Sequence, residues 1–504
     1  MSLVTVRATD EIGTFCLVLH THLPWIAHAG AWPVGEEWLH QAFTASWRRV
    51  LDVCESLAAE DRRDLLTLGI SPTVAAMLDD PYCLTELYRW TGNWVLRAEE
   101  LAANRQPHLR ELAHFEYTAA SACLRDIEER WLRGGSPILR RLADDRVVEL
   151  IGGPVAHPFL PLLEDRLVAH TLRTGLDDAR IRWGASPTGI WAPECGYRPG
   201  LENVYSDQGV RRLLVDGPSL HGRTEQAHPV GSSDVVAFGR DLDVTYRVWS
   251  PKSGYPGNPA YRDFHTFDHA SGFRPARVTN RQTPPEEKAP WDPAIAQGRA
   301  RQDARDFVDL VRHRLLDLAA ETGHRAMTIA AFDTELFGHW WYEGPVWLAE
   351  ILRLLPLAGV RVTTLRGALE AGQIGGPVEI PASSWGSGKD WRVWAGPQVA
   401  DIVHAADVLA KQLLSTVDSR RRLGRDRALD QLCREAYLAL ASDWAFMVSK
   451  DSAVDYARSR IATHSGRFER LRRAIDADPA RAGEITSEYE SLDGAWGHLD
   501  GRLL

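Results

Sequence analysis

The sequence predicts a parallel β/α fold, a barrel in preference to an open doubly wound sheet. Short apolar runs alternate with helical segments, a pattern that favours parallel strands buried on both faces over antiparallel hairpins. Polar residues stand just beyond the carboxyl ends of several runs, where barrels and doubly wound sheets both place their sites. Several strand ends contribute at once, which tilts the choice toward the barrel. At 504 residues the chain exceeds the size at which one core stops growing. Two or three units are therefore expected, one of them a barrel of roughly 250 residues or more.

In chain order the predicted strands are Thr14 to Leu19, Leu65 to Ile70, Val147 to Gly152 and Gly189 to Trp191. Arg212 to Val215, Val235 to Phe238, Met327 to Phe332 and Gly359 to Thr363 complete a set of seven or eight. From about Tyr82 to Arg146 the chain is dense in Leu, Ala, Glu and Arg and reads as inserted helices. His221 to Ala300 is Gly- and Pro-rich with little periodicity, and Trp249, Tyr255 and Tyr261 favour an ordered flap there. Helical character resumes from about Val399, with Gly372 to Trp394 as the junction. The expected division is a catalytic barrel over 1–385, with an insertion at about 82–146 and an active-site loop region at about 221–300. A C-terminal helical domain over 386–504 would contribute to the cleft.

Composition narrows the function classes. Hydrophobic content of 44% and charged content of 25% are those of a folded soluble protein. A net charge of −10 argues against general affinity for nucleic acid or anionic membrane. Met1 to Ala8 lacks a secretory n-region and h-region, and Phe15 to Leu19 is too short to span a bilayer. The six cysteines, Cys16, Cys54, Cys83, Cys123, Cys195 and Cys433, form no CxxC pair, so neither a disulfide scaffold nor a structural zinc site is expected. A cytoplasmic protein is the natural reading; oligomeric state, monomer or small homo-oligomer, stays open.

The 19 Trp are the anomaly. Trp47, Trp90 and Trp131 lie in helical segments and read as core. Trp25, Trp32, Trp38, Trp191, Trp249, Trp340, Trp341, Trp385, Trp391 and Trp394 lie in polar, Gly-rich or Pro-rich contexts. Each ring offers a large rigid face and one N–H donor, which suits a cleft for a sugar or another flat amphipathic ligand.

Two carboxylates stand among aromatic and turn residues, in Trp191-Ala192-Pro193-Glu194-Cys195-Gly196-Tyr197 and in Asp333-Thr334-Glu335-Leu336-Phe337-Gly338-His339-Trp340-Trp341. Acidic residues are seldom buried unless paired. Glycosidic chemistry needs two carboxyl groups flanking an anomeric carbon, about 5–5.5 Å apart for a covalent intermediate and about 6.5–9.5 Å for direct attack by water. Glu194 and Asp333 are the candidate pair; the bland alternative makes Glu194 a turn residue and Asp333 a helix cap. His20 and His22, two residues apart, should point to one side of an extended chain and, with His157, bond sugar hydroxyls. They also fit a metal site, although His–x–His alone is weak evidence. Trp249 to Gly257 reads as an aromatic loop able to cover a substrate and exclude water. Asp443-Trp444 opens a helical stretch. No segment carries a full Walker or dinucleotide-binding pattern.

These motifs resemble those of glycoside hydrolase family 57, and within it the 1,4-α-glucan branching enzymes of actinobacteria and other bacteria. His20-Thr21-His22-Leu23-Pro24 is similar to the first family motif, and Gly152 to Pro158 to the region of the second. The Glu194 and Asp333 segments match the third and fourth. Ala441-Ser442-Asp443-Trp444 resembles the fifth, where the family often has Ser at the first position. The resemblance implies an incomplete (β/α)7 TIM-like barrel with a helical insertion and a C-terminal helical domain. It implies a retaining double displacement without metal or other cofactor, with Glu194 as nucleophile and Asp333 as general acid/base. The substrate would be an α-1,4-glucan or glycogen, bound by His20, His22, Trp32, His157, Trp249, Tyr255, His339, Trp340, Trp385, Trp394, Asp443 and Trp444. An α-amylase or 4-α-glucanotransferase would use the same pair. More distant rivals are a metal-dependent deacetylase or mannosidase and a non-enzymatic glucan-binding module. Gly386-Ser387-Gly388-Lys389-Asp390 is less acidic than the usual family sequence after this junction, so the acceptor side is the part least specified.

Overall fold

A computed structural model describes residues 11–250, 252–420 and 424–504. Among them the nine strands are β1 (Gly13–Thr21), β2 (Leu66–Ile70), β3 (Val148–Ile151), β4 (Gly189–Ile190), β5 (Arg212–Asp216), β6 (His228–Pro229), β7 (Val236–Arg240), β8 (Met327–Asp333) and β9 (Val360–Thr363). All eight expected strands are present. The additional β6 is a two-residue antiparallel partner of β7, too short to leave a pattern in the sequence.

One sheet runs β3-β2-β1-β8 and the other β4-β5-β7-β6. Two links join them into a ring of seven parallel strands. A parallel bridge pairs Gly152, just after β3, with Ile190 of β4. On the far side the Asp241 amide donates to the Ile329 carbonyl at 2.9 Å, tying the end of β7 to β8. Strand β9 pairs with Gly13 to Cys16, on the lower half of the β1 edge whose upper half, Val18 to Thr21, belongs to β2.

The pleat sets which residues enter the ring. Cys16 and Val18 of β1, Leu214 of β5, Phe238 of β7, and Met327, Ile329 and Ala331 of β8 form one apolar cluster. Phe15, Leu17, Leu19, Leu213, Val215, Ala237, Ala330 and Phe332 pack instead into the larger core with the helices. Side chains alternate along a strand, so the next inward positions are His20, Asp216, Arg240 and Asp333. Those four make a polar rim above an apolar lumen. The expected placement beyond the strands needs correction on this point: His20 lies within β1, and Asp333 is the last residue of β8.

Helices Pro81–Ala102, Pro107–Asp126 and Ser136–Asp144 form the expected insertion. Their starts follow capping chemistry: Pro81 opens the first, behind an Asp80 side chain that accepts from the Cys83 amide at 3.0 Å. The flap region is more structured than its composition implies, holding β6, β7 and a helix at Leu242–Val248 capped by Asp241. Its later part is tied to the fold at several points. The Tyr261 hydroxyl donates to Asp303, Arg262 pairs with Glu116, and the Trp291 indole donates to Glu343. The C-terminal region is helical from Ala400–Asp418 through Pro479–Glu490. All six cysteines are buried free thiols. Among the described residues no helix is long and apolar enough to cross a membrane.

Candidate active site

A cleft of about 1300 Å³ lies over the carboxyl ends of the strands. Glu194 enters it from the turn after β4, with backbone angles φ 61°, ψ 19°, and Cys195 follows at φ 48°. Left-handed conformations at two successive non-glycine residues cost about 1–3 kcal/mol each and persist only where surrounding structure enforces them. Gly196 is part of that enforcement, since a Cβ there would lie 2.6 Å from the Phe159 ring. The Trp385 amide donates to the Glu194 carbonyl at 2.9 Å, while Tyr197 and Ser383 exchange backbone bonds. The turn is thereby stitched to the junction segment.

Both Glu194 carboxylate oxygens accept a hydrogen bond. The Trp385 indole donates to Oε2 at 3.0 Å and the Ser442 hydroxyl to Oε1 at 2.9 Å. Burial pushes the Glu194 pKa up to about 7, and these two donors pull against it while nearby Asp443 adds to it. Behind Ser442 runs a chain of buried contacts. Ser442 Oγ is 3.0 Å from His157 Nδ1, and His157 Nε2 is 3.1 Å from His20 Nε2. With the Ser442 proton spent on Glu194, its oxygen accepts from His157 Nδ1–H, and bare His157 Nε2 accepts from His20 Nε2–H. That order leaves His20 Nδ1 without a proton, and this atom is buried and unpartnered. Burial holds both imidazoles well below their usual pKa, hence neutral. His20 stacks on Trp191 at 4.4 Å between centroids, and His22 stacks on His157 at 3.7 Å.

Asp333 faces the cleft, and among the described residues no hydrogen-bond donor reaches its carboxyl. Burial raises its pKa to about 6, opposed first by the positive charge of Arg240. Arg240 lies over the Trp385 ring at 5.2 Å and is held by buried Asp216 at 2.8 Å, which also pairs with Lys389 at 2.6 Å. Glu335 lies deeper: burial, then the Asp333 charge, raise it to about 8, and the Trp47 indole donates to it.

The cleft brings together His20, His22, Trp32, His157, Glu194, Trp249, Asp333, His339, Trp340, Trp385, Trp394 and Asp443. Trp249 stacks on Trp340 at 5.6 Å, Trp394 on Phe159 at 4.9 Å, and Trp32 stands at the mouth with 77% of its surface exposed. Two expected members stand elsewhere. Tyr255 is buried behind the wall, its hydroxyl donating to Asp306 beneath the Arg247 guanidinium. Trp444 is buried in the C-terminal helices, its indole donating to the Leu438 carbonyl at 2.8 Å. A hydrophobic ring beside a site residue is packed as readily into the wall as into the cleft, and sequence adjacency does not separate the two outcomes.

Ser442, Asp216, Arg240 and Lys389 were missed. Arg240 and Asp216 were readable in principle, as inward positions at the ends of β7 and β5. Ser442 carries no such signal, because its partners lie more than 200 residues away in the chain.

Among the described residues two clusters have the residue types of metal ligands. His22, His157 and Asp443 come together beside the carboxylates, but His22 Nε2 bonds Asp443 at 3.1 Å and His22 Nδ1 bonds Ser71 at 2.9 Å. In the second, His464 lies between Glu435 and Arg460, and Asp493 pairs with Arg467. In the first, the imidazole nitrogens are engaged by Asp443, Ser71, Ser442 and His20; in the second, the groups are engaged by one another and by Arg460 and Arg467.

Two carboxyl groups thus line one cleft, Glu194 with a donor on each oxygen and Asp333 with none among the described residues, and two carboxyl groups are what glycosidic chemistry requires. Residues 16–255 match the description "Glycosyl hydrolase family 57", and residues 403–503 match "1,4-alpha-glucan branching enzyme, C-terminal". A Mycobacterium tuberculosis protein named "Probable 1,4-alpha-glucan branching enzyme" is 52% identical, covering 99% of this chain and 100% of the relative. The chain belongs to glycoside hydrolase family 57. A family 57-type branching enzyme from Pyrococcus horikoshii superposes with a TM-score of 0.91 at 29% identity, covering 98% of this chain and 96% of that one. An α-amylase from Thermotoga maritima shares the fold, with a TM-score of 0.86 at 24% identity and coverage of 97% and 98%.

Proposed function

We propose that this protein is a 1,4-α-glucan branching enzyme, a hexosyltransferase that retains anomeric configuration. The observation that carries the chemistry is the contrast, among the described residues, between Glu194, with donors on both oxygens, and Asp333, with none. Glu194 attacks the anomeric carbon of an α-1,4-glucan while Asp333 gives its proton to the departing glycosidic oxygen. Asp333 then removes the proton from the C6 hydroxyl of an acceptor chain, and that oxygen displaces Glu194 to form an α-1,6 branch. Two inversions retain the α configuration. The cycle uses only side chains and needs no cofactor.

His20, His22, His157 and Asp443 serve the sugar at the cleavage point. Trp32, Trp249, Trp340, Trp385 and Trp394 give faces along which glucan chains lie, and His339 lines the same cleft. Water completes the cycle as hydrolysis, so the Trp249 to Gly257 loop, with Trp249 against Trp340, acts to exclude it. The same proposal divides the chain at about residue 385 into a barrel and a helical domain that completes the cleft. It also places the enzyme in the cytoplasm, in keeping with six reduced cysteines.

The test is incubation with linear amylose followed by debranching and NMR linkage analysis. New α-1,6 linkages are expected, absent with Glu194→Gln. Shorter linear chains alone would replace the reading with an amylase, and redistributed linear chains with a 4-α-glucanotransferase.

A further inference from the structure

A side cavity of about 150 Å³ opens off the cleft, sharing Arg97, Arg274 and His339 with it. Five arginines line this cavity, and two are neutralised: Arg48 by Asp52 at 2.7 Å and Arg262 by Glu116. Arg49, Arg97 and Arg274 have no carboxylate within salt-bridge reach among the described residues. Of the two carboxylates lining the cavity, Glu116 is committed to Arg262. Glu37 accepts from the Trp90 indole and the Gln41 amide. Counting Glu37 against the three arginines leaves a local excess of two positive charges.

Each unpaired guanidinium lies over an aromatic face. Arg49 lies 4.4 Å from the Tyr342 centroid, Arg97 lies 5.3 Å from that of Phe273, and Arg274 lies 4.5 Å from both Phe264 and Phe267. Such contacts engage the face of the guanidinium and leave its in-plane N–H groups available. Among the described residues each makes one protein hydrogen bond, to the carbonyl of Ala45, Ser271 or Phe264 respectively, out of five donors. The His339 ring completes the wall, with Nδ1 buried and unpartnered. Partial burial is unfavourable for all three cations, and it lowers Arg274 to about 10. Three cations brought together with unused donors are the composition of a receptor for a planar or tetrahedral oxyanion. The volume exceeds that of a few water molecules, at about 30 Å³ each.

We propose that this cavity is a subsite for an oxyanion, a carboxylate or phosphate group carried by a sugar chain lying in the cleft. Resting on the glucan-transfer reading, it makes the preferred donor or acceptor an α-glucan with an anionic substituent, not a wholly neutral polymer.

The test is calorimetric binding to full-length Glu194→Gln protein, which cannot consume its ligands under that reading. The probes are neutral maltotriose, maltotrionate with its terminal carboxylate, and maltose 1-phosphate. At least one anionic probe should bind about ten-fold more tightly than maltotriose, roughly 1.4 kcal/mol. The stronger of the two identifies the anion's source. Added salt or inorganic phosphate should erode the preference. Arg97→Gln and Arg274→Gln should each cut it at least three-fold while maltotriose affinity holds, and the matching Lys variants should restore part of it. Equal affinity for all three probes overturns the subsite and leaves branching untouched. A preference that survives both Gln variants also overturns it. Anionic probes that bind where maltotriose and longer maltodextrins do not would keep the subsite and remove the glucan reading. If a Gln variant does not fold, the salt-dependent comparison on the Glu194→Gln protein decides alone.

Discussion

The two halves of the cleft solve different problems. On one side Glu194 is fixed by a strained turn, an indole from the junction segment and a hydroxyl from the C-terminal helices, with the His157 and His20 contacts behind it. On the other, Asp333 ends a regular strand, and among the described residues its carboxyl meets the fields of Arg240 and His22 and no hydrogen-bond donor. Donors on both oxygens favour the charged carboxylate and hold it in one orientation, as a nucleophile requires. A carboxyl without donors can take up and release a proton at little cost, as an acid/base requires. Both pKa values lie near neutrality, so environment and geometry separate the roles better than acidity does.

The largest effects should come from the carboxyl groups themselves. Glu194→Gln and Asp333→Asn should each lower kcat on amylose by on the order of 10⁴-fold, measured as new reducing ends after debranching. External azide sharpens the contrast. It should rescue Asp333→Asn on an activated glucosyl donor with retention, and should give inverted product, if any, with Glu194→Gln. The opposite pattern would exchange the two roles.

Next comes the donor set. Ser442→Ala removes one hydrogen bond to a carboxylate, worth about 1.5–3 kcal/mol, so kcat should fall about ten- to a hundred-fold with KM little changed. Losing a donor to the charged form raises the Glu194 pKa, so the acid limb of the kcat/KM profile should move to higher pH. An unmoved limb would make Ser442 merely structural.

The smallest effect is on stability. Glu194, Asp333 and Glu335 are raised to about 7, 6 and 8, against about 4 when unfolded. A carboxyl raised in this way contributes stability that is fully present below its unfolded pKa and lost as pH climbs through its folded pKa. Glu194→Gln should therefore melt higher than the parent at pH 8, by roughly a few degrees, with the gap closing toward pH 5. A constant difference from pH 5 to pH 8 would mean that Glu194 is not desolvated as the structure has it.

The strands were legible because a buried parallel strand is a short apolar run whatever surrounds it, and Met327 to Phe332 is an example. The carboxylates were legible because an acid framed by Trp, Pro and Gly is out of place in an ordinary loop. What sequence reasoning lost depends on contacts distant in the chain. Ser442 is one small polar residue until His157 and Glu194 come to either side of it. Tyr255 and Trp444 carry the right ring for a sugar platform, yet each has its polar atom satisfied inside the wall. The helix at Leu242–Val248 is two turns long, too short for periodicity to register, and depends on the Asp241 cap.

The Ser442 contact also bears on how the enzyme comes into being. The barrel strands, both carboxyl groups and the Trp385 indole precede it in the chain, so a growing polypeptide could fold them first. The hydroxyl that completes the setting of Glu194 belongs to the late helices. That setting is therefore complete only when a residue 248 positions further along the chain is in place.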